Sequence, residues 1–469
     1  MAFTVPALII LPILAMANST HPGCKIRITA RGLQMLKYET QKFVEEELSN
    51  MTMPEMHGKD DNIDSFLNLN NADLRFQPDL GLLFAAENSS ISLSFQRRIL
   101  YWFLFDEGII NASAEGVNFH TVLHLTKGET GRLRISNITC SAAITKLKAK
   151  FSGTLGKVYD FIGTFLTTGM RFVLNKQICP ILNHAGLVLI NSLMDTIPVR
   201  ANVDNYIGID YSLLTDPVVT EKSLDMDFRG MFYELENENE TLVNNAVAPI
   251  IKENDRMIYL GLSEYFFDSG LYSYYKAGIF KMNIANERMP KDLELLLRTT
   301  YIGTIMMLVT LMDAPISLEM EVTSPPRSAI KTSGASVVVD AVVTVMVLPP
   351  GKPPVQLSSM TLVGDKTESR SLIPLSRFKI YSNQSALESL ALIPLQGPLK
   401  TMLQISVVPL LNSRTKRGVQ IPLADGMDFI EEVVEYHNGF IIIGANLHFQ
   451  KGLRDIIEGK SSDESENTV

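Results

Sequence analysis

The feature that most constrains this chain is a plan that runs through it twice. Near the start, CKIRITARGLQMLKYETQKFVEEEL alternates from Lys25 to Thr29 as a strand does, then repeats Leu33, Leu36, Phe43 and Val44 at helical spacing. Much later, DRMIYLGLSEYFFDSGLYSYYKAG does the same, with Met257 to Leu262 extended and Ser263 placed to cap the following helix. The halves also end alike. Cys179-Pro180-Ile181-Leu182-Asn183 precedes Ile197-Pro198-Val199, and Val408-Pro409-Leu410-Leu411-Asn412 precedes Ile421-Pro422-Leu423. A strand follows each, from Tyr206 and from Gly439. Three signals in one order indicate an internal duplication, with the charged ELENENETLVNNAVAPIIKEN as linker.

Between these markers strand signals dominate. In the first half Val117, Phe119, Thr121, Leu123 and Leu125 alternate with more polar positions, TKGETG makes a turn, and RLRISNITCSAAITKLKAKF returns with a bulge near Ser136-Asn137. In the second, Ile316, Leu318, Met320 and Val322 alternate. ASVVVDAVVTVMVL, interrupted by Asp340 and too short to span a bilayer, reads as another strand. Each half carries a long apolar helical pattern, from Lys157 to Leu193 and from Ala386 to Leu411. The expected fold is α+β, two related halves that each wrap a twisted antiparallel sheet on apolar helices. These signals divide the chain into a leader at 1–19, a first half at 20–233, the linker at 234–254, a second half at 255–449, and a short helix with an acidic disordered tail at 450–469.

The chain has 469 residues, 46% hydrophobic and 20% charged, enough for two domains with sizeable cores. Its first nineteen residues carry no charged side chain, are apolar from Val5 to Met16 and end in Ala17-Asn18-Ser19, the pattern of a removed secretory signal. Export leads to an oxidising compartment, so Cys24, Cys140 and Cys179 predict one disulfide and one leftover thiol. Glycosylation sequons at Asn50, Asn88, Asn111, Asn137, Asn239 and Asn383 fit the same address. A formal charge of −9 argues against nucleic acid as a partner, because phosphate binding needs basic surface.

Enzyme signatures are missing from the sequence. The seven histidines, His21, His57, His120, His124, His184, His437 and His448, show no HExxH or paired-cysteine spacing, and no metal site is expected. Asp225 and Asp227 in LDMDFRG read as solvated charges on an exposed strand face rather than as an acid/base pair. No GxSxG, P-loop or GxGxxG occurs. The expectation is a protein that is not an enzyme and has no cofactor.

The segment RRILYWFLFDEG holds the chain's single tryptophan in an unbroken apolar run from Ile99 to Phe105, bracketed by Arg97, Arg98, Asp106 and Glu107. A strand buried on one face would alternate, so either both faces of this run are covered or one meets lipid. Aromatic rings with a polar edge suit a lipid–water boundary. Leu100, Tyr101, Trp102, Phe103 and Phe105 are therefore the candidates for docking on a lipid surface, the alternative being that they fill the end of the sheet.

The stretches PGCKIR, LLFAAENSS, LYWFLFDEGIINASAEGV, KVYDFIGTFLTTGMRFVLNKQICPIL, GIDYSLL, LDMDFRG, SEYFFDSG, IYSNQSALESLALIPLQGPLKTMLQISVVPLLN and RGVQIPL cover nearly the whole chain after the leader. In them the chain resembles the family of lipopolysaccharide-binding protein, bactericidal/permeability-increasing protein and cholesteryl ester transfer protein. The resemblance implies a boomerang of two barrel-like domains joined by a central antiparallel sheet, with lipid held in apolar pockets or a tunnel. It implies a disulfide between Cys140 and Cys179, which leaves Cys24 unpaired and closes a loop worth roughly 3 to 4 kcal/mol.

The function so implied is secreted lipid transfer. Phospholipid would be carried as cargo between lipoproteins or membranes, remodelling high-density lipoprotein, with lipoprotein particles, their apolipoproteins and membrane surfaces as partners. Three rivals are an innate-immunity protein that binds lipopolysaccharide, a neutral-lipid exchanger, and a scaffold that binds lipoprotein surfaces without transfer. The first would favour a basic tip, yet Lys25 to Arg229 holds 21 basic and 23 acidic residues. Two segments, Lys59 to Phe76 and Thr361 to Arg377, are shorter than the family's usual strands there, which predicts a partly missing strand in each half.

Overall fold

The structure, a computed structural model, describes residues 21–49, 64–69, 71–101, 104–152, 156–284, 316–348, 351, 353–367, 375–382 and 427–449. The first half runs β1 (Cys24–Thr29), α1 (Ala30–Ser49), β2 (Asp64–Asn68), β3 (Asp73–Gln77), β4 (Gly81–Tyr101), β5 (Leu104–Lys127) and β6 (Leu133–Phe151). It continues through α2 (Gly156–His184), a π-helical turn (Ala185–Ile190), α3 (Asn191–Thr196), β7 (Arg200–Asn202), β8 (Ile207–Asp210), β9 (Val218–Val219), β10 (Ser223–Phe228) and β11 (Met231–Glu234). The second half runs β12 (Ile258–Ser263), α4 (Glu264–Lys276), β13 (Lys281–Ile284), β14 (Ile316–Val322), β15 (Arg327–Lys331) and β16 (Gly334–Val347). Its remaining strands are β17 (Val355–Thr367), β18 (Leu375–Ser382), β19 (Met427–His437) and β20 (Phe440–Phe449). The leader, the helical pattern from Ala386 to Leu411 and the 450–469 tail lie outside the described residues.

The two copies of the strand–helix plan meet in one sheet. β1 pairs antiparallel with β10 on one side, Cys24 opposite Phe228, and with β12 on the other, Cys24 opposite Leu262. β12 pairs in turn with β20. The order β19-β20-β12-β1-β10-β9 is thus symmetric about the β1–β12 contact, each first strand flanked by a later strand of its own half. All six residues of β12 are buried, as expected for a strand covered on both faces.

Ion pairs fix the register of this sheet. Arg27 grips Asp225 with two hydrogen bonds of 2.6 and 2.7 Å, and Lys25 lies 3.1 Å from Asp227. The side chains of Arg27 and Asp225 are only 14% and 11% exposed, which corrects the expectation that this acidic pair is solvated. The alternation that places both aspartates on one face also sets them opposite two basic residues of a distant strand. At the corner of the sheet Gly230 adopts φ 53°, and a Cβ there would fall 2.6 Å from that of Cys24. Ser263 corrects a second expectation. It occupies the N-cap position of α4 but makes no side-chain cap, and its hydroxyl instead donates to the Gly23 carbonyl at 3.2 Å.

The first half's own sheet contains β2 to β6 and is dominated by β4 and β5, of 21 and 24 residues. These pair from Gly81 opposite His124 to Tyr101 opposite Leu104. β6 returns alongside β5, with His124 opposite Asn137 and Leu125 opposite Ile135, so Ser136 is the bulged residue where the sequence placed it. Val117, Phe119, Thr121 and Leu125 face the core. The second half repeats the pattern with β13, β14, β16, β17 and β18, β15 pairing on β16. Every strand pairing among the described residues is antiparallel, and the described strands form open sheets rather than a closed ring. The two shortened segments still supply paired strands. β2 and β3 each align on β4, and β17 aligns on β18 through an irregularity between Asp365 and Lys366.

Candidate functional site: an uncovered apolar helix and a hairpin end

The long helix α2 lies along β6, tied to it by the Cys140–Cys179 disulfide with a Cα separation of 5.6 Å. Met170, Leu174, Ile178 and Leu182, spaced one turn apart, form its buried stripe and join α1, the central sheet and β3 to β6 in one core. Pro180 and the π-helical turn do not end the helical run, which continues through α3. There Asn191 is buried and clamps Ile135 of β6, accepting from its N–H and donating to its carbonyl, both at 2.9 Å.

On the opposite side of α2 large apolar side chains are bare, with Lys176 exposed among them. Phe165 is 81% and Phe172 60% exposed, and Val188 and Leu187 follow on the same helical run. From Gly163 to Thr196 the run is long and apolar enough to cross a membrane, by length and composition, yet only 28% of its most apolar stretch is buried. Two of its hydroxyls are satisfied by the helix's own backbone. Thr167 donates to the Gly163 carbonyl and Thr168 to the Thr164 carbonyl, each at 2.7 Å, so neither hydroxyl needs a partner outside the helix. Lys176 sets its ammonium 4.3 Å from the centre of the Phe172 ring and marks the polar limit of the patch. Covering one such phenylalanine is worth roughly 1.5 to 3 kcal/mol.

The aromatic run falls at the β4–β5 hairpin end. Leu100 is opposite Phe105, Tyr101 opposite Leu104, and the bracketing charges align as Arg98 opposite Glu107. For Leu100, Tyr101 and Phe105 the structure fixes the backbone register, while Trp102 and Phe103 lie outside the described residues.

Other singled-out residues have structural or surface roles. Cys24 is a free, fully buried thiol, held well above the ordinary thiol range by that burial and by nearby Asp227. Asn88, Asn111, Asn137 and Asn239 are exposed, as glycan attachment requires, and Asn50 and Asn383 lie outside the described residues. His124 bonds to Thr139 at 3.1 Å, and His120 is exposed on the same strand. The bare stripe of α2 was not legible in the sequence. Its signal, two phenylalanines seven residues apart with glycine and threonine between, is hidden in a run that is apolar nearly all round.

Sheet, helix and duplication together define a lipid-handling architecture, and sequence comparison places it. The N-terminal domain of the LBP / BPI / CETP family matches residues 32–193 and its C-terminal domain residues 201–449. The chain belongs to the LBP / BPI / CETP family. It is 50% identical over 465 residues to Phospholipid transfer protein of Homo sapiens, covering 96% of this chain and 94% of that one, and 49% identical to the Mus musculus protein with the same coverage. It is 23% identical to Lipopolysaccharide-binding protein of Homo sapiens over 459 residues, covering 93% and 95%. A crystal structure of lipopolysaccharide binding protein superposes with a TM-score of 0.60 at 20% identity, covering 92% of this chain and all of that one. The α+β, two-domain boomerang fold follows from that likeness.

Proposed function

We propose that this chain is a secreted, non-enzymatic carrier that takes up phospholipid and moves it between lipoprotein or membrane surfaces. The observation that carries the reading is the bare apolar side of α2. A soluble protein gains nothing from leaving Phe165 and Phe172 in water, whereas an acyl chain laid along that side removes them from it. The β4–β5 hairpin end, with Leu100, Tyr101, Trp102, Phe103 and Phe105, supplies the surface that touches the donor or acceptor particle. Half of the residues are shared with phospholipid transfer proteins and fewer than a quarter with lipopolysaccharide-binding protein, which favours phospholipid over lipopolysaccharide as cargo.

The test is transfer of a fluorescent phospholipid from quenched donor vesicles to lipoprotein or vesicle acceptors, with protein far below lipid. Many lipids moved per protein is the expected result. Uptake of one or two lipids per protein would leave a lipid-binding role without transfer, and no uptake would leave the surface-binding scaffold. Phospholipid extracted from the purified protein separates the two readings independently.

A further inference from the structure

We propose that Glu253, Glu435 and His437 form a zinc site that ties the linker between the halves to the edge strand of the central sheet. Glu435 and His437 are two residues apart on β19, so their side chains leave the same face of the strand, and Glu253 reaches them from the linker. One ligand atom from each, two carboxylate oxygens and an imidazole nitrogen, lie within 4.8 Å of one another. Two ligands on a tetrahedral zinc ion stand about 3.4 Å apart, given bonds near 2.1 Å. His437 Nε2 and Glu435 Oε2 are 3.8 Å apart, too long for a hydrogen bond and close to that spacing.

The imidazole nitrogen carries the argument. His437 Nε2 is shielded from solvent and has no hydrogen-bond partner, a costly state for a buried polar atom. Its ring is held against Phe440 in a stacked contact, centroids 4.9 Å apart, which fixes its orientation. Among the described residues no lysine or arginine lies within ion-pairing distance of Glu253 or Glu435. Glu253 accepts from the Lys252 backbone N–H at 2.9 Å and lies in the field of Arg27, and Glu435 stands 3.8 Å from His437. A divalent cation would satisfy the nitrogen and neutralise both carboxylates at once. The donor set chooses among cations. Calcium and magnesium take oxygen ligands, whereas an imidazole with carboxylates and room for water suits zinc.

The consequence is a brace. β19 is an edge of the central sheet, and the linker at this point has no helix or strand of its own. The test uses the full secreted chain stripped with EDTA and titrated with Zn²⁺ against a chromogenic chelator. The unmodified chain should bind one equivalent and melt at a higher temperature when it is bound. Glu253→Gln, Glu435→Gln and His437→Ala should each weaken that equivalent by at least about tenfold and remove the melting shift. Mg²⁺ and Ca²⁺ at the same concentration should not displace it. No saturable equivalent, or one that survives all three substitutions, would overturn the proposal. Glu253→Gln lies outside every helix and strand, so its result stands even if a β19 variant is not secreted.

Discussion

In the central sheet every residue of β12 is buried and the charged residues of β1 are paired; along α2 less than a third of the most apolar stretch is covered. Both regions are rich in apolar residues, and they use them in opposite ways. In the sheet, apolar side chains from the two halves cover each other, and Arg27–Asp225 and Lys25–Asp227 fix the register. On α2 one stripe is anchored, by Met170, Leu174, Ile178, Leu182 and a disulfide, and Phe165 and Phe172 on the other side are left bare. A lipid carrier needs both conditions. A frame that keeps its shape when cargo leaves must sit beside a surface that is incomplete without cargo.

The largest effect should come from breaking the frame. Arg27→Ala leaves Asp225 buried without its partner and should cost about 3 to 5 kcal/mol, read as a lower denaturant midpoint or as failed secretion. A loss below about 1 kcal/mol would mean that the pair is dispensable to the sheet. Next is the anchor of α2. Replacing Cys140 and Cys179 together with Ser should cost roughly 3 to 4 kcal/mol in thermal or urea unfolding, and an unchanged midpoint would assign the anchoring to packing alone.

The uncovered surfaces should answer differently, in function more than in stability. Trp102→Ala with Phe103→Ala should weaken vesicle binding by about tenfold or more while the unfolding midpoint holds. Full binding by the folded variant would remove the hairpin end from the docking surface. Phe172→Ser should shift stability by no more than about 0.5 kcal/mol, since the ring is already in water, yet slow transfer and lower the amount of copurified lipid. Stability lost without loss of transfer would make that face ordinary packing.

The smallest effect is chemical. Burial raises the pKa of Cys24, so its contribution to stability is complete below the ordinary thiol range, near pH 8.5, and is lost as pH rises above it. A thiol reagent at pH 8 should find no reactive cysteine in the folded chain and one after unfolding. Labelling of the native chain would show that the sheet corner at Gly230 opens.

Much of the frame was readable because it rests on short-range pattern. The alternation of Lys25 to Thr29, the period of Leu33, Phe43 and Val44, and the bulge near Ser136 are all local signals, and each has its element. Partners distant in sequence were not readable. Nothing near Asp225 announces Arg27, and Ser263 looks like a cap until Gly23 is seen beside it. The same distance hides Glu253 from Glu435 and His437, a constellation that no spacing rule could return. The hairpin end was legible as an anomaly, a strand that fails to alternate.

The pairing of β1 with both β10 and β12 also sets a timetable. The first strand to leave the ribosome has its two neighbours in Ser223–Phe228 and Ile258–Ser263, and at 5–20 residues per second these follow on the order of tens of seconds later. Until then β1 is an unpaired strand with both edges open, the state most prone to join the wrong chain. The high sequence separation of these contacts makes closure of the sheet a late and slow event. A truncated chain that ends before β12 would therefore keep that edge open permanently, and should depend on chaperones or aggregate rather than fold as half a molecule.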